Sequence, residues 1–517
     1  MKNIKHIALS FLALGFLACE NEVLEDLRNK NNEEAVELET FTAGSADFST
    51  YVSLGNSLTA GFADGALYKV AQQNSTPAIM AQQFAAVANG GSFTQPLMND
   101  NVGGLLAGGN QLPGFGPRLV FNGSGPVPLE SLVPSAVPTT DVILNNPTGP
   151  FNNLGVPGAK SFHLLAPGYG NFSGVISNPP TANPYFVRMA SSPGTSIIAD
   201  AVAQQPSFFS LWIGNNDVLG FALSGGDGSN PITPMAGPAG VGFQASYQAL
   251  VATMAGNVPG VQGILANIPN VTAIPHFTTV PHNPVPLDAA TASLVNQAYA
   301  QYNGGLQAAA ANNIITAAEL EARTISFSAA SDNAVVIVDE DLTVITLPTG
   351  PGTFTTLPNI RQATSDDLLV LPAASFIGTL AQPGNPLSVN GVAVALADRW
   401  VLTPEEQSAI ADATAQYNGV IASVASANGY ALLDANSLLD QLASAGIETS
   451  GQVLTSDLVT GGAFSLDGVH PTSRGYALIA NEMLKAIDVA YGSNFEASGN
   501  LVDVSQYNVA YSPGLLQ

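Results

Sequence analysis

The chain of 517 residues contains one cysteine, and only 13 Lys and Arg against 38 Asp and Glu. A single cysteine excludes a disulfide framework and a cysteine-based zinc cluster. The shortage of bases argues against nucleic acid as a partner, because phosphate binding depends on clustered Lys and Arg. After residue 19 no apolar run reaches the roughly 18 residues that span a bilayer. With 46% hydrophobic residues, the acidic chain is nevertheless long enough for a substantial core.

The N-terminal segment, residues 1–18, has the features of an export signal. Lys2 and Lys5 precede an apolar stretch of signal-peptide length, which ends at Cys19 directly after Ala18. This pattern resembles a bacterial lipoprotein signal, which implies cleavage before Cys19 and attachment of a lipid to it. We therefore expect a protein anchored in the bacterial cell envelope, at the outer membrane. An ordinary signal peptide with an incidental cysteine is the alternative.

Residues 19–46 are predicted to form an acidic tether. Eight Asp and Glu residues face only Arg28 and Lys30, a composition that stays solvated and extended. Acidic residues after a lipoprotein cysteine also resemble surface-export signals of some bacteria. A plain spacer explains them equally well.

Strands and helices alternate through the body, residues 47–491. Strands are predicted at 51–54, 208–213, 261–266 and 430–433, with helices beginning near Thr76, Phe243, Val295, Thr403 and Thr472. This alternation predicts an α/β fold with a parallel sheet covered on both faces. Two insertions, about 88–150 and 307–402, and a tail, 492–517, complete the organisation. Residues 333–347 are predicted to pair as two strands, turning at 339–341.

Four short motifs carry the candidate chemistry. They read GNSL at 55–58, NLGVPGA at 153–159, GNND at 214–217 and DGVHP at 467–471. The first and third directly follow predicted strands, and the loops after the carboxyl ends of parallel strands share the edge of the sheet where ligands bind. We therefore expect Ser57 and Asn216 to lie on the same edge.

These motifs supply the groups that acyl transfer needs. A serine such as Ser57 becomes nucleophilic when a base removes its proton, and His470 has Asp467 three residues before it to hold its imidazole. The developing oxyanion needs donors. The N–H groups of Ser57 and Gly158 and the side chain of Asn216 are candidates.

In their order, the four motifs resemble the four blocks of the SGNH, or GDSL-type, hydrolases, the GDSL-like lipase/acylhydrolase family. The resemblance covers about 47–275 and 403–491. It implies a three-layer α/β/α sandwich with a parallel, flavodoxin-like sheet of about five strands. It also implies Ser57 as nucleophile, His470 as general base and acid, Asp467 as its orienting partner, and an oxyanion hole of Ser57, Gly158 and Asn216. No cofactor and no metal is expected.

The expected function is a serine esterase or lipase acting on a lipid, a small ester or an acylated glycan. The Gly-rich apolar insertions would suit a lid over an acyl chain, which favours lipids. Asn56 departs from the family, in which Asp commonly precedes the nucleophile. A surface lipoprotein that kept the fold as a binding module and lost turnover is the alternative, and a small soluble esterase is a third hypothesis. The sequence does not indicate the oligomeric state.

Other candidate ligands have a simpler interpretation. His276 and His282, six residues apart among prolines, are predicted to be loop residues rather than metal ligands. Residues 339–341 are predicted to be a hairpin turn rather than a calcium site. Trp212 is predicted to be a core residue close to the site.

Overall fold

The computed structural model describes residues 38–385 and 387–517. The predicted signal, Cys19 and the first part of the predicted tether lie outside the described residues. None of the helices in the described ranges is both long enough and apolar enough to span a membrane.

A five-stranded sheet lies at the centre of the fold. Its strands are β1 (Tyr51–Gly55), β2 (Asn153–Gly155), β3 (Phe208–Trp212), β4 (Gln262–Ala266) and β5 (Ala431–Leu433). They pair in the order β5-β4-β3-β1-β2, and every pairing is parallel. Every residue of β1 and β3 is buried, as expected for strands that are covered on both faces. The predicted mixed α/β fold with a parallel sheet is confirmed.

Nine helices are used in the description below. They are α1 (Ser57–Ala60), α2 (Thr76–Val87), α3 (Ile197–Val202), α4 (Asn215–Leu223), α5 (Phe243–Asn257), α6 (Ala289–Ala311), α7 (Pro404–Asn428), α8 (Ala435–Ser444) and α9 (Ser473–Tyr491). The helix α9 packs against α2, β4 and β5, while α5 packs against α3 and α7. The remaining short α-helices span Lys69–Gln73, Leu129–Leu132, Phe172–Val175, Pro184–Val187, Pro275–Thr278, Ala317–Arg323 and Ala373–Phe376.

Local sequence explains where the long helices begin. Pro404 opens α7, and the carboxylate of Glu406 accepts a hydrogen bond of 2.7 Å from the N–H of Thr403, as in a capping box. The Thr472 hydroxyl accepts from the N–H of Gly475 at 3.0 Å and so caps α9.

The last residues of the predicted tether lie against the body. The Thr42 N–H donates to Asn494 at 2.8 Å, and the rings of Phe41 and Phe495 lie 4.9 Å apart. Residues 39–46 therefore make polar and apolar contacts with the segment after α9, instead of extending into solvent.

The first insertion contains short hairpins and is tied to the C-terminal tail. Its strands pair as Leu106–Ala107 with Asn110–Gln111 and as Leu119–Phe121 with Pro126–Pro128. The buried guanidinium of Arg118 donates to the Ser512 carbonyl at 2.8 Å. A charged group so far from water is satisfied by these carbonyls, and it fixes the tail on the insertion.

The predicted strand pairing within residues 333–347 is wrong. Val336–Val338 pairs with Ile360–Gln362, while Thr346–Gly350 pairs with Thr353–Thr356. Residues 340–341 do form a turn. The segments on either side of this turn pair with strands further along the chain, and the local apolar pattern does not specify those partners. The other short pairing in this insertion joins Leu368–Leu369 to Val401–Leu402, and Ile447–Thr449 pairs with Gln452–Leu454 nearer the C-terminus.

Candidate active site

Ser57 lies at the first turn after β1. Asn56 caps α1, since its side-chain oxygen accepts from the Leu58 N–H at 2.9 Å, while its amide nitrogen donates to Asn215 at 2.8 Å. A side chain on Gly55 would collide with Thr59, so only glycine allows this close turn. Ser57 is 7% exposed, and its N–H belongs to the first helical turn, where α1 itself offers no acceptor.

Asp467 and His470 form a hydrogen-bonded pair. The Nδ1 atom of His470 lies 2.8 Å from Oδ2 of Asp467. The carboxylate also accepts from the N–H groups of Val469 and His470, each at 2.9 Å. Burial alone would raise the pKa of Asp467, but the charge of His470 and these hydrogen bonds hold the pKa well below its usual range. Asp467 is therefore a carboxylate that can orient the imidazole and stabilise its protonated form.

The loop of Asp467 and His470 is in direct contact with the chain after Ser57. The Gly65 N–H donates to Asp467 at 2.9 Å, and the ring centres of Phe62 and His470 lie 4.7 Å apart. The Phe62 N–H in turn donates to the Ser57 carbonyl at 3.0 Å. Segments more than 400 residues apart in sequence thus meet at the carboxyl end of β1.

Gly158 and Asn216 lie on two segments that are joined to each other. The Asn216 amide donates to the Ala159 carbonyl at 2.8 Å, which leaves its second hydrogen without a partner among the described residues. Gly158 is exposed with a φ of +81°, and its N–H has no hydrogen bond within the described ranges. The Val156 N–H donates to the Gly55 carbonyl at 3.0 Å, so this loop borders the turn before Ser57. Unused donors therefore lie beside that turn.

Asp217, the last residue of the third motif, fixes this donor loop. Its buried carboxylate accepts from both the N–H and the hydroxyl of Ser161, each at 2.8 Å. Burial raises the pKa of Asp217 to about 6, against the opposing effect of the Ser161 hydrogen bonds. Asp217 is a residue that reasoning from sequence missed, although its position in the third motif was a usable signal.

A second missed acid, Asp64, supports the Asp467 loop. Its carboxylate accepts from the Tyr68 hydroxyl at 2.6 Å and from the Leu466 N–H at 3.0 Å. Burial raises the pKa of Asp64 to about 6, although the Tyr68 bond lowers it. The guanidinium of Arg118 lies 5.3 Å from the Tyr68 ring centre, which links the first insertion to this network. Nothing local in the sequence marks Asp64, because its partner loop lies about 400 residues away.

His276, predicted to be a loop residue, instead lies in the short helix Pro275–Thr278, and His163 lies shortly after the second motif. The N–H of Lys160 donates to Nδ1 of His163 at 3.0 Å, while burial lowers the pKa of His163 to about 4, so this ring is a neutral acceptor. The N–H of His276 donates to the Gly468 carbonyl at 2.9 Å, and burial lowers the pKa of His276. His276 therefore braces the loop between Asp467 and His470. The carbonyl of His282 accepts from the N–H of Val335 at 3.0 Å.

An apolar pocket of about 70 Å³ borders the candidate site. Its lining includes Leu58, which follows Ser57, and Val469 and Pro471, which flank His470. Trp212 also lines this pocket and is buried, as predicted for a core residue near the site. A larger cavity of about 610 Å³, between α6 and the second insertion, contains no residue of the four motifs. The smaller pocket is lined by neighbours of Ser57 and His470 in the chain, and its lining is apolar.

The fold and site define a mixed α/β protein with a parallel sheet and a partly buried Asp–His pair at its carboxyl edge. Comparison with protein-family models, with curated proteins and with solved structures finds no match to this chain. A function for this chain is therefore inferred from the geometry of its site.

Proposed function

We propose that this chain is a serine esterase that hydrolyses carboxylic acyl esters through an acyl-enzyme. The observation that carries the proposal is the 2.8 Å hydrogen bond between Asp467 and His470, on a loop held against the segment after Ser57. An imidazole oriented by a carboxylate is the group that activates a serine hydroxyl within its reach.

In the proposed reaction, Nε2 of His470 removes the proton of the Ser57 hydroxyl as Oγ attacks the ester carbonyl carbon. The oxyanion accepts hydrogen bonds from the N–H groups of Ser57 and Gly158 and from the Asn216 amide. The C–O bond to the alcohol breaks, and His470 returns the proton to the leaving oxygen. Water, deprotonated by His470, then attacks the acyl-enzyme, and the acid leaves as Ser57 recovers its proton.

We propose further that the fold is the three-layer α/β/α sandwich of the SGNH, or GDSL-type, hydrolases. The strand order 2-1-3-4-5 supports this, because it is the doubly wound order whose ligand crevice opens between β1 and β3. Ser57 follows β1 and Asn216 follows β3. The proposed nucleophile and the proposed oxyanion donor thus lie on either side of the point where the strand order reverses.

The proposed substrates are lipids, small esters or acylated glycans. The apolar pocket beside Ser57 suits the acyl group, and its small volume favours a short chain over a long one. The insertions alone favour a lipid substrate, whereas the pocket favours an ester with a short acyl chain.

We also propose that the mature protein is anchored in the bacterial envelope by a lipid on Cys19. Cells grown with a fatty-acid analogue should label the wild-type chain but not a Cys19→Ala variant. Equal labelling of the two chains would contradict the anchor without affecting the proposed chemistry.

The test of the function is hydrolysis of p-nitrophenyl esters from acetate to palmitate by the full-length protein. Ser57→Ala should abolish turnover, whereas Ser192→Ala, at an exposed serine, should retain it. Preference for short chains would agree with the pocket. A folded wild-type protein no faster than Ser57→Ala on every ester would contradict the proposal and favour the binding-module alternative.

A further inference from the structure

Three acids outside the candidate active site come from separate segments of the chain, and a fourth segment packs against them. Glu340 lies on the turn of the second insertion, Asp398 at its end, and Glu406 in the first turn of α7. One carboxylate oxygen from each of the three residues lies within 4.8 Å of one from each of the others. The fourth segment is the loop after α4, where a side chain on Gly225 would collide with the Asp398 carbonyl and one on Gly226 with Glu406.

One oxygen of this group is buried and has no partner. Glu406 is 7% exposed, and its Oε2 atom accepts from Thr403 in the capping box. Its Oε1 atom is fully buried without a hydrogen bond. The capping box explains why an acid is found at this position. It does not explain why the second oxygen is enclosed beside two other carboxylates, since an unsatisfied buried oxygen of a charged group costs free energy.

No base in the described part of the chain forms an ion pair with Glu340, Asp398 or Glu406. Arg361 is bound to Asp339 and Asp367, and the guanidinium of Arg399 lies 5.2 Å from the Trp400 ring centre. The charged groups that act most on Asp398 are acids: Glu340, Asp227, Asp339 and Asp341. Burial first, and these acids next, raise the pKa of Asp398 to about 6.

We propose that Glu340, Asp398 and Glu406 bind one calcium ion. Two oxygens on opposite sides of a calcium ion lie about 4.6–5.2 Å apart, twice the Ca–O distance. Oxygens no more than 4.8 Å apart can therefore contact one such ion. Calcium prefers carboxylate oxygens and tolerates irregular geometry, whereas zinc favours the His and Cys ligands that are absent from this group. The ion would give the orphaned Glu406 oxygen a partner.

The proposed ion would have a structural effect rather than a catalytic one. It would join the second insertion to the start of α7 and to the loop after α4. Because Asn216 lies in the first turn of α4, the ion would also fix the far end of the helix that presents this proposed oxyanion donor. The site is independent of the proposed esterase activity, so either proposal can fail alone.

The test is calcium binding to the full-length protein after treatment with EDTA and removal of the chelator. Isothermal titration should give one calcium per chain, and 1 mM calcium should raise Tm by roughly 2 °C or more over sodium chloride of matched ionic strength. Glu340→Gln, at an exposed turn, and Asp398→Asn should each weaken binding at least about tenfold. Asp412→Asn, an exposed acid on α7, should bind as the wild type does.

Without calcium, Glu340→Gln should melt no lower than the wild type, since removal of one like charge relieves repulsion. With calcium, it should melt below the wild type. This reversal separates lost binding from a damaged fold. The proposal is overturned if the wild type binds no calcium, or if Glu340→Gln and Asp398→Asn both bind it as tightly as Asp412→Asn does.

Discussion

Two groups of acids in this chain differ in what surrounds their oxygens. At the candidate active site, Asp467 accepts hydrogen bonds from backbone N–H groups and from His470, and its pKa is depressed. At the second group, Glu406 and Asp398 face other acids, and burial and like charge raise the pKa of both. Donors stabilise a buried carboxylate, whereas neighbouring carboxylates leave it in need of a cation. The first environment suits a permanent charge in catalysis, and the second suits a metal ligand.

The largest effect is expected from removal of the charge at Asp467. Asp467→Asn keeps the size of the side chain but no longer stabilises the protonated imidazole of His470, so kcat should fall by about 10³–10⁴-fold. Steady-state hydrolysis of p-nitrophenyl acetate measures this loss. Asp440→Asn, at an exposed acid on α8, is the matched control. Less than a tenfold loss in Asp467→Asn would show that the pair does not act in the reaction.

The next largest effect concerns the unused donors near that pair. Asn216→Ala removes one proposed oxyanion donor and its bond to Ala159, so kcat should fall by roughly 100–1,000-fold while the fold persists. Asn257→Ala, at an exposed position near the end of α5, is the control. A change in KM with unchanged kcat would place Asn216 in substrate binding instead.

Asp64 combines features of the two groups of acids. It accepts hydrogen bonds, as Asp467 does, but its pKa is raised to about 6. Its pKa in the unfolded chain is about 3.9, so folding favours the neutral acid. The resulting stabilisation is complete below pH 4 and is lost as the pH rises through 6. Melting curves should therefore show the wild type losing stability relative to Asp64→Asn between pH 4.5 and 7.5. A constant difference across that range would contradict the raised pKa.

The smallest effect is expected at Glu406 in calcium-free protein. Glu406→Gln keeps an oxygen for the Thr403 capping bond and removes one like charge. Its free energy of unfolding in EDTA should stay within about 1 kcal/mol of the wild type or exceed it. Denaturant titration measures this difference. A clearly lower free energy of unfolding for Glu406→Gln in EDTA would show that the Glu406 charge is already compensated. It would weaken the contrast between Asp467 and the second group of acids.

Sequence predicted the features that depend on nearby residues. The alternation of strands and helices, the Thr403 capping box and the Thr472 helix start were all readable, because each is encoded within a few positions. Asp467 and His470 were paired for the same reason, being three residues apart. The strand pairing of residues 333–347 was mispredicted, because the competing partners lie further along the chain.

Features that depend on distant segments were not predicted. Asp64 meets Leu466 across about 400 residues, and the acids of the second group come from separate segments of the chain. The local sequence predicts that residues 339–341 are a hairpin turn rather than a calcium site. The turn is present, but Asp398 and Glu406, the acids that give Glu340 its environment, are invisible from the local pattern.

The central claim is that His470 and Asp467 activate Ser57. The most direct measurement is covalent labelling of the native full-length protein by a fluorophosphonate, followed by mass spectrometry of its peptides. Such reagents phosphonylate an activated serine whatever the natural ester is. We expect one label, on Ser57, that disappears on denaturation and in His470→Ala. A native protein left unlabelled, or labelled at another serine, would contradict it.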